Sequence, residues 1–561
     1  MIKTGLLAAL VLVPLQAAFA AKPYPQPPKP CAGNTPTTRS KWCQYSVDTD
    51  YTKEAPHTGV TREYWLELND VTVAPDGVSR TAMAINGTIP GPTLFADWGD
   101  EVVVHVKNSL AQSHNGTSIH WHGIRQNFTN QNDGVAAITQ CPTRPGDSIT
   151  YRWRAVQYGS TWYHSHFGIQ AWEGIFGGLI INGPATHNYD EDLGIITLND
   201  WDPRTVDQLY SAAQTTGPPE LANVLINGTN VLGSGGKRLN ISFKPGKSYR
   251  LRFVNVGIDS HYKVMLDNHS MTVIGADLVP IKPYQTNMID IGIGQRYDVV
   301  IKANQAAVAK SFWLRVVPQV ACSKITNANN IRAIVHYGND RSTPNTTGYS
   351  YVDSCSDETP RLVPHVPKNV ARADSQTSET VALASINGLF KWTLNSTTFL
   401  ADWKDPSLRQ ITTNSSAFTK SNAVIELPQP NKMFYLVIDT ALVPVTHPIH
   451  LHGHDFWVLA QGVGSYSPAT VALNTTNPPR RDTALLPGKG YLVLAFESDN
   501  PGAWLMHCHI GWHTSEGFAL QFVERRSEIA AITDRPKLLD QCKAWSNYQD
   551  SLSILQEDSG V

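Results

Sequence analysis

A thiol flanked by imidazoles, Trp504-Leu505-Met506-His507-Cys508-His509-Ile510-Gly511-Trp512-His513, is the stretch of this chain best suited to hold a metal. The residues before it, Gly490–Glu497, are rich in Val, Leu and aromatics, and Pro501-Gly502 marks a turn, so His507–His509 is expected on a second strand. Side chains alternate along a strand, which turns His507 and His509 one way and Cys508 the other. Thiolate and imidazoles can then serve different metal centres, and His513, a short turn later, can return to the Cys508 side. Two imidazoles, one thiolate and a weak axial position form the ligand set of an electron-transfer copper. The competing reading is a buried thiol among core histidines.

Three more clusters precede it: His120-Trp121-His122, His164-Ser165-His166 and His447-Pro448-Ile449-His450-Leu451-His452. An i, i+2 pair on a strand offers two imidazoles on one face of the sheet. In the third cluster His450 and His452 share a parity and His447 has the other, repeating the division around Cys508. Cys508, His447 and His513 thus form one three-ligand set. His120, His122, His164, His166, His450, His452, His507 and His509 form a second set of imidazoles, enough for about three coppers at two or three ligands each. A single thiolate does not make a tetrahedral structural zinc site. A lone His-x-His is usually structural, but four clusters of matching parity with one unpaired thiol point to metal chemistry. The remaining histidines (His57, His105, His114, His187, His261, His269, His336, His365, His454) are read as structural, with His454 nearest to the ligand pattern because it continues the parity of His450 and His452.

Such ligands need rigid strands to carry them, and the chain supplies strand patterns throughout. Short alternating runs occur at Thr61–Glu67, Glu101–Val106, Ser148–Trp153, Gly178–Asn182, Ser248–Val254, Tyr297–Lys302 and Phe312–Val317, separated by Pro90-Gly91, Pro145-Gly146, Pro245-Gly246 and Pro487-Gly488. This spacing predicts β-sandwiches or barrels. Helical pattern is scarce before Ser527–Gln549, where a short helix or two is expected. Pro-Gly turns leading into a strand recur near 145, 245 and 487 at irregular intervals, which suggests repeated domain types rather than a solenoid. Boundaries are expected near 185 and 365, the second inside the linker-like Thr359–Ser378.

The 561 residues begin with Lys3, an apolar run over Leu6–Leu15 and Ala18-Phe19-Ala20, the pattern of a secretory leader cut after Ala20 and too short to span a membrane. A net charge of −2 with 16% charged residues leaves no nucleic-acid footprint, and no basic amphipathic helix suggests membrane binding. Seven cysteines are odd in number for an oxidising compartment, and a copper-bound Cys508 accounts for the one left over. Cys31–Cys43 and Cys322–Cys355 are plausible local pairs, leaving Cys141 for Cys542, although sequence alone does not derive the connectivity. Sequons at Asn86, Asn115, Asn227, Asn240, Asn345, Asn395, Asn414 and Asn474 fit a glycosylated surface.

The motifs HWHG at 120–123, WYHSH at 162–166, HPIHLHGHDFWVL at 447–459 and HCHIGWH at 507–513 resemble the four copper signatures of blue multicopper oxidases, specifically of secreted fungal laccases. The resemblance runs from about residue 60 to the C-terminus. It implies an all-β fold of three cupredoxin-like Greek-key β-sandwich domains: 21–185 with trinuclear-site ligands, 186–365, and 366–561 with the mononuclear site, further trinuclear-site ligands and the C-terminal tail. Carried over motif by motif, His447, Cys508 and His513 would bind the type 1 copper, and His120 and His450 the type 2. His122, His164, His166, His452, His507 and His509 would bind the type 3 pair, giving four copper ions. Asn477-Pro478-Pro479-Arg480-Arg481-Asp482 and the ending Asp558-Ser559-Gly560-Val561 resemble the ascomycete-type subgroup, whose tail enters the channel to the trinuclear cluster; the final Val departs from its usual Leu.

The implied chemistry is one-electron oxidation of phenols and aromatic amines coupled to four-electron reduction of dioxygen to water, by a secreted monomer with no nucleic-acid or membrane partner. Electrons would pass from the type 1 site through Cys508 into His507 and His509, a route on the order of 10–15 Å at about 3.3–3.6 Å per extended residue. Phe518 falls at the axial position and cannot coordinate, so the potential is expected to exceed that of a methionine-bearing relative. Asp133, in Asn132-Asp133-Gly134, resembles the acidic residue kept beside the type 2 copper. Glu220 is the candidate acceptor of the phenolic proton. The rivals are a ferroxidase, an ascorbate oxidase or a bilirubin oxidase, with Glu516 as one acidic neighbour for Fe(II), and a copper-binding protein without turnover.

Overall fold

The computed structural model describes residues 31–413, 417–440 and 442–561. The expected leader at 1–20 and the sequon at Asn414 lie outside these residues. Six large sheets stack in three pairs along the chain. The first pair is Arg80–Ile85, Thr61–Val73, Glu101–Ser109, Ser148–Arg154 against Gly91–Asp97, Phe176–Asn182, Gly159–Ser165, Ile119–Trp121, each in spatial order. The second and third pairs each combine a six-stranded with a five-stranded sheet.

The three pairs repeat one plan. Among the described residues each of the six sheets contains one parallel pairing, such as Thr61–Val73 with Glu101–Ser109 and Ser375–Ile386 with Met433–Asp439. Parallel neighbours inside otherwise antiparallel sheets arise where the chain crosses between the two sheets of a sandwich, as in Greek-key topology. The alternating runs become strands for the expected reason: Glu101–Ser109 buries Val102, Val104, Val106 and Asn108 toward one core, with Glu101, His105 and Lys107 half-buried on the other parity. Gly490–Glu497 is likewise a strand, centrally placed between Met433–Asp439 and Phe456–Val463. The recurring Pro-Gly turns do not all occupy one place in the plan. Those at 145 and 487 lead into the antiparallel neighbour of the parallel pair, whereas the one at 245 leads into Ser248–Asn255, itself a member of that pair.

Helix content departs from expectation. The C-terminal segment forms Arg526–Ile529 and Arg535–Leu552, but an 11-residue helix at Val206–Thr216 precedes them. Its N-terminus is a capping box in which the Thr205 hydroxyl accepts from the Gln208 amide and the Gln208 side chain reaches back. Shorter helices lie at Ser407–Thr413 and Gly511–Ser515.

The first and third sandwiches are tied together largely through residues outside their strands. Asn130 bonds the Ala503 main chain in both directions (2.9 and 3.1 Å), and Arg125 reaches Asp455 at 2.8 Å and Asp499 at 2.6 Å. Cys141–Cys542 staples the C-terminal helix to the first sandwich, and Cys31–Cys43 and Cys322–Cys355 close local loops. Cys508 is the free thiol among the described residues, fully buried.

Candidate metal centre

The sheet that carries Cys508 brings three ligand atoms together. His447 opens the strand His447–Leu451, which pairs antiparallel with Gly502–Cys508 so that Ile449 stands opposite Cys508. The short helix Gly511–Ser515 then folds His513 back over the sheet end. Cys508 Sγ lies 3.6 Å from Nδ1 of both His447 and His513, and those nitrogens are 3.1 Å apart. Burial pushes the Cys508 thiol far up and holds His447 down at about 3 and His513 well below its usual range. Two unprotonated imidazoles converging on a buried sulfur suit a cation, whose charge would reverse the cost of ionising that thiol. Phe518 packs its ring 4.9 Å from the His447 ring, while Trp392 lies 4.8 Å from His447 and 4.3 Å from His513.

The remaining eight imidazoles meet at the interface of the first and third sandwiches. Register aligns them: His120 stands opposite His164, and His450 opposite His507. In every pair the first histidine is on its strand and the second lies just past the end, since the strands stop at Trp121, Ser165, Leu451 and Cys508. His509 is therefore not on the strand expected for it, although its ring still comes within 5.3 Å of the His507 ring and 5.0 Å of the His122 ring. His120, His122 and His164 form one close trio, His120, His450 and His452 a second, and His166, His452 and His507 a third, the ligand atoms of each within 4.8 Å of one another.

Hydrogen bonds orient the rings. Nδ1 donates to a main-chain carbonyl in His120 (Asp133, 2.9 Å), His164 (Ser165, 2.8 Å), His450 (Asp482, 2.8 Å) and His507 (Cys508, 2.9 Å). A carbonyl only accepts, so in these four Nδ1 carries a proton, which in a neutral ring leaves the lone pair on Nε2. Nε2 of His120, His164, His450 and His452 is buried without a partner, and Nε2 of His507 faces Nε2 of His166 at 3.4 Å. Burial and mutual repulsion hold His122, His164, His166, His450, His452 and His509 well below the usual imidazole range, and His507 at about 4. Orphaned, unprotonated nitrogens pointing at one another fit metal ions and little else.

Asp133 is buried between two of these rings, its carboxylate 2.9 Å from His452 Nδ1 and 3.2 Å from His120 Nδ1. The turn that places it requires glycine next: Gly134 has φ +77°, and a Cβ there would lie 1.8 Å from the Ile119 carbonyl. His454 belongs elsewhere, paired with Glu524 at 3.1 Å and packed on Phe496 and Trp504. The strand ends before it, so the parity it continued in sequence no longer applies.

A cavity of about 780 Å³ opens onto His513. Its wall is largely apolar, with Leu383, Phe390, Trp392, Leu442, Val443 and Pro444, and it includes Glu220, Asp259 and Glu516. Glu220 is exposed and accepts from the Thr326 hydroxyl at 3.0 Å. Asp259 is half-buried, and burial, aided by the nearby Asp200 charge, pushes it up to about 8; burial does the same to Glu516. Sequence reading missed Asp259 and Trp392. Trp392 could have been suspected from the alternating run Leu389–Leu394, whereas Asp259 follows a strand and carries no motif of its own.

The last residues dock against the cluster rather than fray. Ser559 donates to the Ser515 carbonyl at 3.0 Å, Trp403 Nε1 donates to the Gly560 carbonyl at 3.2 Å, and Val561 lines a small void with His164, His166, His507 and His509.

Sequence models of the multicopper oxidases match residues 67–186, 192–340 and 394–528. A protein named Laccase-2 from Botryotinia fuckeliana is 45% identical over 550 residues, covering 95% of this chain and 94% of its own. The chain belongs to the multicopper oxidase family. As a multicopper oxidase it is a copper-binding oxidoreductase. A laccase from Neurospora crassa is 39% identical, with 94% of this chain and 89% of that one covered. The crystal structure of a laccase from Botrytis aclada superposes with a TM-score of 0.91 at 46% identity, covering 95% of this chain and all (100%) of that one. Fet3p, described as a multicopper oxidase that functions in iron import, gives 0.78 at 26% identity, covering 89% and 96%. The all-β fold of three cupredoxin-type sandwiches follows from these matches together with the sheet topology.

Proposed function

We propose that this multicopper oxidase is a laccase, oxidising phenols and aromatic amines beside His513 and reducing dioxygen to water at the eight-imidazole cluster. The observation that carries the reading is a roomy, apolar-walled cavity that ends on His513, whose partner Cys508 is joined through the chain to His507 and His509. Copper held at these residues would accept electrons singly and collect the four that dioxygen requires. His447, Cys508 and His513 are assigned to type 1, His120 and His450 to type 2, and His122, His164, His166, His452, His507 and His509 to type 3, four ions in all. Phe518 supplies no donor atom, which favours the reduced metal and a high potential. Cys508 carries the electron inward, and its carbonyl takes a hydrogen bond from His507 at 2.9 Å, tying the two sets by more than the main chain. Asp133 steadies His120 and His452, and the Val561 end closes the small void beside the cluster.

For the proton lost by a phenol, Asp259 is better placed than Glu220, because it is half-buried in the cavity wall and its raised basicity suits proton capture. It accepts when ionised, so phenol oxidation should rise with pH toward about 8. In Asp259→Asn that rise should vanish for phenols and remain absent for ferrocyanide, which releases no proton; Glu220→Gln should leave both profiles unchanged. The three carboxylates near His513 favour ferroxidase as a second reading. Turnover of a dimethoxyphenol and of Fe(II) at equal concentration, followed by oxygen uptake, decides between them, and faster Fe(II) turnover would overturn the laccase reading.

The domains are taken to be 21–185, 186–365 and 366–561. The protein is taken to be a monomer, secreted after cleavage at Ala20 and glycosylated at exposed sequons such as Asn86, Asn227, Asn240 and Asn395. Among the described residues no helix is long and apolar enough to cross a membrane.

A further inference from the structure

The middle region matched at 192–340 carries none of the candidate ligands, yet one of its turns walls the imidazole cluster. Gly294 has φ +79°, and a Cβ there would stand 3.0 Å from His509 Cδ2 and 3.2 Å from His122 Cε1. Gln295 Nε2 donates to the Thr483 carbonyl at 3.1 Å. Arg296 is fully buried and grips both carboxylate oxygens of Asp482, at 2.5 and 2.6 Å. Asp482 in turn lies 3.3 Å from His122 Nε2.

His122 is set apart by its orientation. In His120, His164, His450, His452 and His507 an oxygen takes Nδ1 and leaves Nε2 for the cluster. In His122 the order is reversed: Nε2 meets Asp482 and, at 3.2 Å, the Thr483 hydroxyl, while Nδ1 is buried without a partner. A carboxylate accepts, so the proton goes to Nε2 and the lone pair to Nδ1. Asp482 exerts that choice only while its carboxylate is held against His122. A two-pronged guanidinium bond fixes a carboxylate in both position and plane, which a single ammonium contact does not.

We infer that Arg296 is a positioning residue of the cluster: acting through Asp482, it selects the nitrogen of His122 that faces the metal. A region without ligands thereby governs metal occupancy. The inference rests on the reading that the eight imidazoles hold copper.

The test compares the purified full-length wild type with Arg296→Met, Arg296→Lys and, as a control, Arg250→Met. Arg250 is also buried in an ion pair, with Asp298 at 2.5 Å, at the boundary of the first and middle regions, and is not bonded to Asp482. Each protein is dialysed against a copper chelator, then read for copper per chain, the type 2 electron paramagnetic resonance signal, blue absorbance, and the thermal midpoint of the metal-free form. Arg296→Met is expected to release cluster copper about 10- to 100-fold more readily than the wild type while keeping its blue band. Arg296→Lys should fall between them with an altered type 2 signal. Arg250→Met should lower the thermal midpoint and retain its copper. Equal copper retention and unchanged type 2 signals in wild type and both Arg296 variants would overturn the inference alone, as would losses in Arg250→Met matching those in Arg296→Met. A wild type without cluster copper would overturn the inference and the reading beneath it.

Discussion

The Cys508 set and the eight-imidazole cluster draw on the same residue types and share a tripeptide, but they are built differently. His447 and Cys508 come from neighbouring strands of one sheet, and His513 from the short helix that follows it. The cluster takes four imidazoles from the first sandwich and four from the third, and the turn that closes it comes from the second. A site made within one sheet requires that sheet to fold. A site made across an interface requires three folded units and their correct docking as well.

Removing the bridge between the two sites should have the largest effect. Cys508→Ser should lose the blue absorption and bring phenol-driven oxygen uptake to background, yet keep the cluster copper. If copper is lost from both sites, the two do not assemble independently. Next in size is Asp133→Asn, which leaves His120 its main-chain acceptor but replaces the buried carboxylate between His120 and His452 with a neutral amide. Copper retention at the cluster should weaken by about 10- to 100-fold while the blue band is unchanged; metal analysis alongside a visible spectrum measures both.

A smaller change sharpens the Cys508 side. Phe518→Met adds a weak sulfur donor next to His447, so a redox titration should give a lower potential with the cluster signal unaltered. An unchanged or raised potential rules out an axial role for this position. The smallest effect concerns protons. Burial holds His447 at about 3 and His507 at about 4, against 6.5 in the unfolded chain. As pH falls below 6.5, the unfolded chain binds protons that the folded one excludes, so these groups stabilise the metal-free fold above that window and progressively less within it. The loss should approach about 1.4 kcal/mol per pH unit for each such imidazole, ending below the folded value. Urea melts of metal-free wild type and His447→Gln across the window should show the flatter dependence in the variant.

Legibility followed the same division. The strands at Thr61, Glu101 and Ser148 could be read because one better-buried face imposes a period of two on their sequence, whereas those at Ser248 and Phe312 are buried on nearly every residue and were marked by their β-branched and aromatic content. Val206–Thr216 was overlooked among strand patterns even though Thr205 and Gln208 form a capping box visible in the sequence. The histidine pairs could be recognised by spacing, but strict alternation described only their first members. His122, His166, His452 and His509 follow the strand ends, where loop geometry sets the ring directions. Asp259 and Arg296 were illegible for another reason: neither belongs to a local pattern, and their importance arises from groups far away in sequence.

From the order of its amino acids alone, this chain declares its strands, its unpaired thiol and its paired imidazoles, because each depends on neighbours within a few residues. Tertiary structure decided which histidines face one another, which ring nitrogen each presents, and which carboxylate borders the cavity. Those outcomes depend on the packing of separate sandwiches, where the burial of one group is set by residues hundreds of positions away.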